Sequence, residues 1–303
     1  MSKHTASTKS YDLGPGSSYS FFKSQCAKPA LPPADTSLAG QTVILTGGNM
    51  GIGYACAEHL VELKVARLIL AVRTPSKGEA AAKTLRLKSP GTKIEVWNVD
   101  MLSYKSVQDF ADKCKGLDRI DIAILNAGMT TGVFERGPEG HEKLVQTHYL
   151  STVLLAHLLL PLLKEKSPAG KPGRLTIVSS GAAHYAKLSH SATTPYLPTY
   201  DDEALFEPAE QYCASKALEF FWAYKLVEYV RKEDVIVNLV DPGLVKGTGL
   251  HRDLTGMASF FFATAKNLFG RKMRDGASTL VDAAVVKGDE THGCYIQDWR
   301  VQS

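Results

Sequence analysis

Tyr212 and Lys216 stand four positions apart in the run Gln211-Tyr212-Cys213-Ala214-Ser215-Lys216-Ala217. In a helix that spacing puts the phenol and the ammonium on one face, one turn apart. A free phenol has a pKa of about 10, too high for easy proton traffic at neutral pH. A neighbouring ammonium favours the phenolate and lowers that value. The pair is therefore a candidate acid–base. A tyrosine and a lysine at this spacing also occur on ordinary helix surfaces. The weight comes from what precedes them.

Short apolar runs alternate with helical stretches upstream. The runs are Thr42-Val43-Ile44-Leu45, Ala66 to Val72, Lys93 to Val99, Ile120 to Leu125 and Arg174 to Ser179. Helical patterns lie between them, at 52–63, 78–87, 103–114 and, as one long helix, 141–164. Tyr212 falls in the next helix, a sixth strand is expected over 235–240, and a last one near 293–296. This alternation implies βαβ units and a parallel sheet, and the near-continuous apolar strands imply helices on both faces. The fold class expected is α/β: a doubly wound, Rossmann-type parallel sheet in three α/β/α layers. One catalytic domain is expected over 39–303. Residues 1–38, with breakers Gly14-Pro15-Gly16 and Pro29 to Pro33, read as a largely irregular extension. Within it Ser20-Phe21-Phe22-Lys23-Ser24-Gln25 either docks on the body or belongs to a trailing arm.

The turn after the first strand is Thr46-Gly47-Gly48-Asn49-Met50-Gly51-Ile52-Gly53. Glycines there let the chain turn sharply and approach a pyrophosphate, which the following helix N-terminus favours. The spacing is GxxxGxG rather than GxGxxG. Gly47, Asn49, Gly51, Ile52 and Gly53 are the cradle candidates. At the end of the second strand an acid would hold the ribose hydroxyls of NAD. The chain has Val72, then Arg73, with Lys77 close behind. A charge-assisted donor there favours NADP; otherwise Arg73 is an ordinary loop arginine. Asp100 ends the third strand. It could accept from an adenine amino group, begin the helix that follows, or do both.

Composition narrows the class. The chain has 303 residues, 44% hydrophobic, with a formal charge of +4 and no basic cluster. That leaves no electrostatic footprint for nucleic acid. Cys26, Cys56, Cys114, Cys213 and Cys294 are odd in number and lack CxxC pairing. They point away from a disulfide scaffold or a zinc site and toward a reducing, cytoplasmic setting. The polar N-terminus lacks a signal-like apolar segment. The longest apolar run, 150–163, is interrupted by Ser151, Thr152 and His157 and is too short to span a bilayer. It reads as a buried helix, so no membrane span is expected.

The residues resemble the short-chain dehydrogenase/reductase family of the classical type, over roughly 40–249. The resemblance rests on the turn at 46–53, on Leu125-Asn126-Ala127-Gly128, on Ser179-Ser180, on Tyr212 with Lys216, and on Asp241-Pro242-Gly243, each in family order. Leu70 to Glu79 is similar to the NADP-preferring, retinol-dehydrogenase-like branch. The N-terminal extension and the stretch 241–250 are similar to relatives from filamentous fungi often tied to secondary metabolism.

The resemblance implies NADP(H) as cofactor and a small-molecule carbonyl or alcohol as substrate. It implies that Tyr212 is the general acid in the reducing direction. Lys216 would hold the nicotinamide ribose and lower the Tyr212 pKa, and Ser180 would bond the substrate oxygen. Asn126, with Ala127 and Gly128, would brace the backbone near the cofactor. Pro242, Gly243 and Val245 would line the nicotinamide. Thr248 would reach a phosphate, although Gly247 displaces it by one place. Where many members carry an asparagine that kinks the long helix and binds a relay water, this chain has His148. It either takes over the relay or is a satisfied core histidine.

Two stretches are expected to set specificity. One is 182–210, with Tyr185, Tyr196, Tyr200 and Phe206. The other is 251–274, with Phe260-Phe261-Phe262 and Leu268-Phe269 as an aromatic lid, a core patch or a contact surface. Helices containing 150–163 and 217–230 could pair in a homo-oligomer. The leading expectation is an NADPH-dependent reductase of a hydrophobic carbonyl. Oxidation of a hydrophobic alcohol is the second. A cofactor-binding sensor without turnover is the third.

Overall fold

A computed structural model describes residues 23–247 and 269–302. Strand β1 (Thr42–Thr46) is buried at every position, as a strand covered on both faces must be. It leads into α1 (Gly51–Glu62), β2 (Arg67–Val72), α2 (Pro75–Lys88), β3 (Lys93–Asn98), α3 (Tyr104–Lys115) and β4 (Ile122–Leu125). The long helix α4 then runs over Lys143–Lys166. After β5 (Gly173–Val178) come α5 (Pro208–Leu226), β6 (Val235–Asp241), α6 (Met273–Val281), β7 (Cys294–Gln297) and β8 (Arg300–Val301).

The strands form one sheet in the order β3-β2-β1-β4-β5-β6-β7-β8. All pairings are parallel up to β7, with Leu45 opposite Leu70 on one side of β1 and Ile124 on the other. The order reverses between β1 and β4, so the chain leaves the two strands in opposite directions and opens a crevice at their C-terminal ends. Helices α3 and α4 cover one face through Val107, Phe110, Leu155, Leu159 and Leu163. Helices α1, α2 and α6 cover the other through Leu60, Val61, Leu85, Leu280 and Val281. Each fully buried leucine contributes about 1.5–3 kcal/mol by leaving water.

The doubly wound layering is as expected, with one addition. The sheet ends in an antiparallel hairpin, β7–β8, paired Ile296 with Val301 and Gln297 with Arg300. Its two-residue turn, Asp298-Trp299, has φ of 55° and 59° at the two positions. A turn of that hand suits the twist of the strands it joins. Trp299 is buried and donates its indole N–H to Ser278 Oγ at 3.1 Å.

Helix α4 is long and apolar enough to cross a membrane by length and composition alone, but 61% of its apolar window is buried inside the protein. It is not regular. Residues Gln146–Leu150 form a wide π turn in which the Ser151 N–H reaches back to the Gln146 carbonyl. The extension is tied down at two described points. Ser24 is buried and donates to Asp298 Oδ1 at 2.7 Å, and Leu38 is buried with its N–H on the Leu63 carbonyl at 2.8 Å. Phe21 and Phe22 lie outside the described residues.

Candidate active site

The crevice is built from backbone first. Gly47 has φ +68° and lies against Asn126, whose Nδ2 would be 3.1 Å from a Cβ there. A Cβ on Gly53 would run into the Gly47 carbonyl oxygen and the Asn126 amide. Gly51 has φ +58°, and a Cβ there would meet nothing within 4 Å. The turn is therefore closed on the protein side and open on the other. Among the described residues, α1 has no side-chain cap at Met50 and no acid in its first turn. Its first N–H groups and the positive end of its dipole thus suit an anionic group. Asn49 and Ile52 are half-buried beside it.

Asn126 ties the end of β4 to that turn. Its Nδ2 donates to the Thr46 carbonyl at 2.9 Å, and its N–H and that of Ala127 both donate to Thr46 Oγ1 at 2.9 Å. Thr46 accepts two backbone donors on a fully buried hydroxyl, a bracing part that was not expected from its place in the motif. Gly128 lies beside His148, whose Nε2 would be 3.3 Å from a Cβ there.

Arg73 and Lys77 are exposed at the end of β2 and the start of α2, where a phosphate on the adenosine ribose could be met. Asn98 Nδ2 fixes the loop by donating to the Arg73 carbonyl at 2.9 Å. Asp100 takes the local option: its Oδ1 accepts the Leu102 N–H at 3.0 Å, while its own N–H donates to Ser106 Oγ at 2.9 Å.

Tyr212 and Lys216 do share a face of α5, and Ser180 meets them from the end of β5. The Ser180 hydroxyl bonds the Tyr212 phenol and also accepts the Ala182 N–H at 3.1 Å. The expected lowering of the phenol pKa is reversed. Burial pushes Tyr212 well above the ordinary tyrosine value, the Ser180 bond works against that, and the charges of Glu219 and Asp241 add to it. Lys216 has another partner. Its Nζ donates to Glu219 Oε1 at 2.9 Å and to the Val178 carbonyl at 3.1 Å, with both charged side chains nearly inaccessible. The reason is short-range: a carboxylate three residues on lies on the same helix face.

His148 sits in the π turn, at the kink. Its Nε2 accepts the Met129 N–H at 3.1 Å, so Nδ1 carries the proton and faces Ser215 Oγ at 2.9 Å. Ser215 in turn donates to the Tyr212 carbonyl at 2.8 Å. The ring packs edge-on to the Tyr212 ring at 5.5 Å. Burial, then the Lys216 charge, holds its pKa well below the ordinary histidine value. Both ring nitrogens are engaged by protein groups and the ring is neutral. That geometry favours the core-bracing alternative for His148 over the relay.

The strand β6 ends in Asp241, which is buried and bonded by the Gly243 N–H at 2.9 Å and Gln297 Nε2 at 3.1 Å. Burial raises its carboxyl pKa. Pro242 and Gly243 are pinned by Arg271, whose Nη1 donates to the Pro242 carbonyl at 3.1 Å and whose guanidinium also bonds Asp298 and the Ser24 carbonyl. Val245 is 3% exposed and packed on Gly276 of α6. Thr248, Phe260, Phe261, Phe262 and Leu268 lie outside the described residues, and Phe269 is exposed.

Between β5 and α5 the chain forms three short turns, Gly181–Tyr185, Leu197–Asp201 and Glu203–Leu205. Tyr200 is buried with Val145, Ala214 and Leu218, and Tyr149, Leu150, Leu188 and Tyr196 pack on that cluster. Phe206 meets Phe134 edge-on at 5.5 Å. Buried Glu142 stitches this region together by accepting the Leu144 and Val145 N–H groups and Gln211 Nε2 at 3.0 Å. Asp201 bonds the Glu142 N–H at 2.8 Å and faces His141 Nδ1 at 2.8 Å. The contacts of Glu142 with Gln211 and of Asp201 with Glu142 and His141 were not anticipated, since each joins residues far apart in the chain.

With that geometry in hand, the chain matches the family model for short chain dehydrogenase over residues 41–193. It belongs to the short-chain dehydrogenase family. It is similar to the short chain dehydrogenase/reductase mfmJ of Annulohypoxylon moriforme, 48% identical over 284 residues, covering 93% of this chain and 83% of mfmJ. It is also similar to the short chain dehydrogenase virL of Hypocrea virens, 36% identical over 283 residues with 93% and 83% covered. Both bear out the resemblance to fungal relatives. Among solved structures, RhlG of Pseudomonas aeruginosa superposes with a TM-score of 0.63 at 24% identity, covering 86% of this chain and 95% of RhlG. That likeness shows the fold. Membership makes this chain an oxidoreductase of a family that uses a nicotinamide cofactor.

Proposed function

We propose that this dehydrogenase is an NADPH-dependent reductase of a hydrophobic carbonyl compound, with Tyr212 as proton donor. The observation that carries the reading is the convergence of Ser180, Tyr212 and Lys216 beside the crevice between β1 and β4. When bound, the reduced nicotinamide supplies a hydride to the carbonyl carbon.

The chain's own residues have the other parts. The Gly47–Gly53 turn and the α1 N-terminus would hold the pyrophosphate, and Asn126 keeps that turn in place. Arg73 and Lys77 would receive a 2′-phosphate; the RhlG structure, an NADP complex, lends this support. Ser180 and Tyr212 would grip the carbonyl oxygen, and Tyr212 would protonate it as charge develops. Burial holds the phenol protonated, the form in which it can donate. The aromatic and aliphatic cluster around Tyr149, Leu188 and Tyr196 supports an apolar substrate.

The test is NADPH consumption against a panel of ketones and aldehydes, wild type beside Tyr212→Phe. Turnover should fall by about 10²–10⁴-fold in the variant, while NADPH binding, followed by fluorescence, persists. Undiminished turnover in the variant would remove Tyr212 from the chemistry. Tight NADPH binding with no turnover on any carbonyl would favour the sensor reading.

A further inference from the structure

Lys216 is the cation that should ease ionisation of Tyr212, and it is paired with an acid. Glu219 and Lys216 are one helical turn apart on α5, with side chains 2% and 6% exposed and Oε1 to Nζ at 2.9 Å. The Val178 carbonyl takes a second ammonium proton at 3.1 Å. An ammonium has three donors, so one direction remains for a ligand hydroxyl.

We propose that Glu219 is a positioning residue that anchors Lys216, cancels its charge within the site, and so keeps Tyr212 a proton donor. The proposal rests on the reading of Tyr212 as the donor in carbonyl reduction. A bare Lys216 would favour the phenolate, which serves alcohol oxidation as a base. A neutralised pair removes that pull and leaves the phenol protonated.

The surroundings agree. The charged and titratable groups that act on the phenol are Glu219 and Cys213 from α5 itself and Asp241 from the end of β6, with Lys216 held on Glu219. His148, from α4, presents a neutral ring, and Ser180, from the end of β5, a hydroxyl. Behind Asp241 stands the Tyr295 phenol of β7. Lys216 is the one cation in that set, and Glu219 and Asp241 are the two acids. Burial raises the Glu219 carboxyl pKa, and the Lys216 charge works against that rise.

The experiment reads Tyr212 directly. The protein is labelled with ¹³Cζ-tyrosine, and the Tyr212 resonance among the 12 tyrosines is identified by its loss in Tyr212→Phe. In Glu219→Gln the Tyr212 resonance should titrate about one to three pH units lower than in wild type. The alkaline limb of alcohol oxidation should move with it. Glu219→Asp, which keeps the charge, should restore the wild-type titration. If the resonance titrates at the same pH, or higher, in Glu219→Gln, the proposal is overturned. The same holds if Glu219→Asp shifts it as far as Glu219→Gln does, because packing would then explain both. The two readings fail separately. Full turnover in Tyr212→Phe sinks the donor role. Lost turnover there with an unmoved resonance in Glu219→Gln sinks only the role of Glu219.

Discussion

The two halves of the crevice are held by different physics. The half proposed for the cofactor, from Thr46 to Gly53 with Asn126, is fixed by backbone: a turn with positive φ at Gly47 and Gly51, and strand ends joined through one threonine hydroxyl. The half proposed for the substrate, from Gly181 to Gln211, is fixed by side chains that reach across the chain, chiefly Glu142 and Asp201. Backbone geometry tolerates little, because a glycine in such a turn has no substitute. Side-chain stitching tolerates exchange, and this is what a family needs where substrates differ.

The largest effect should therefore come from the smallest change. In Gly53→Ala the added methyl meets the Gly47 carbonyl, which is backbone and cannot swing away. The turn must open, and NADPH affinity should fall by about 100-fold or more, close to 3 kcal/mol at 1.4 kcal/mol per decade. Isothermal titration with NADPH measures it. An affinity within threefold of wild type would mean that the cofactor half is as adaptable as the other.

The same contrast explains what could be read beforehand. The strands, the helices and the glycine turn follow local rules of period and φ, so 42–46, 67–72 and 47–53 were legible within a residue or two. The β7–β8 hairpin was not, because Asp298-Trp299 replaces the asparagine–glycine pair that usually announces such a turn. Glu219 was passed over because its meaning depends on burial, which spacing alone does not report: three residues from Lys216 on an exposed helix it would be an ordinary surface pair. The same holds for His148. Its place in the chain marked the kink, but only Met129 and Ser215 show that both nitrogens are taken. Arg271, which joins Pro242, Asp298 and Ser24, draws on three distant segments and left no local signal.

A change in the proposed substrate half should act on folding stability and leave a different signature. Glu142→Ala leaves the Leu144 and Val145 N–H groups and the Gln211 amide short of an acceptor in the interior. At about 1–3 kcal/mol per buried group, a loss on the order of 3 kcal/mol is expected, visible as a lower urea midpoint. KM for the carbonyl substrate should rise, because Gln211 precedes Tyr212 and also holds the Tyr200 carbonyl at 3.0 Å. NADPH affinity should stay within about threefold, a difference below 1 kcal/mol. Equal losses in KM and NADPH affinity would show that the two halves respond as one unit.

His148 lies between the halves, on Met129 after β4 and on Ser215 in α5, and it gives the smallest and most specific signal. Its folded pKa is depressed by burial, while the unfolded chain protonates at about 6.5. A group depressed in this way contributes stability above pH 6.5 that is lost as the pH falls, because only the unfolded chain takes up the proton. His292 acts in the same sense through its own burial and is unaffected by a change at 148. Asparagine at 148 does not titrate. Between pH 6.5 and 5, stability from urea unfolding should thus fall less steeply in His148→Asn than in wild type, by a difference approaching about 1.4 kcal/mol per pH unit. Parallel slopes would mean that His148 takes up a proton in the folded protein. The ring would then have to release Met129, the halves would be joined by a titrating group, and the proton-relay alternative would be favoured.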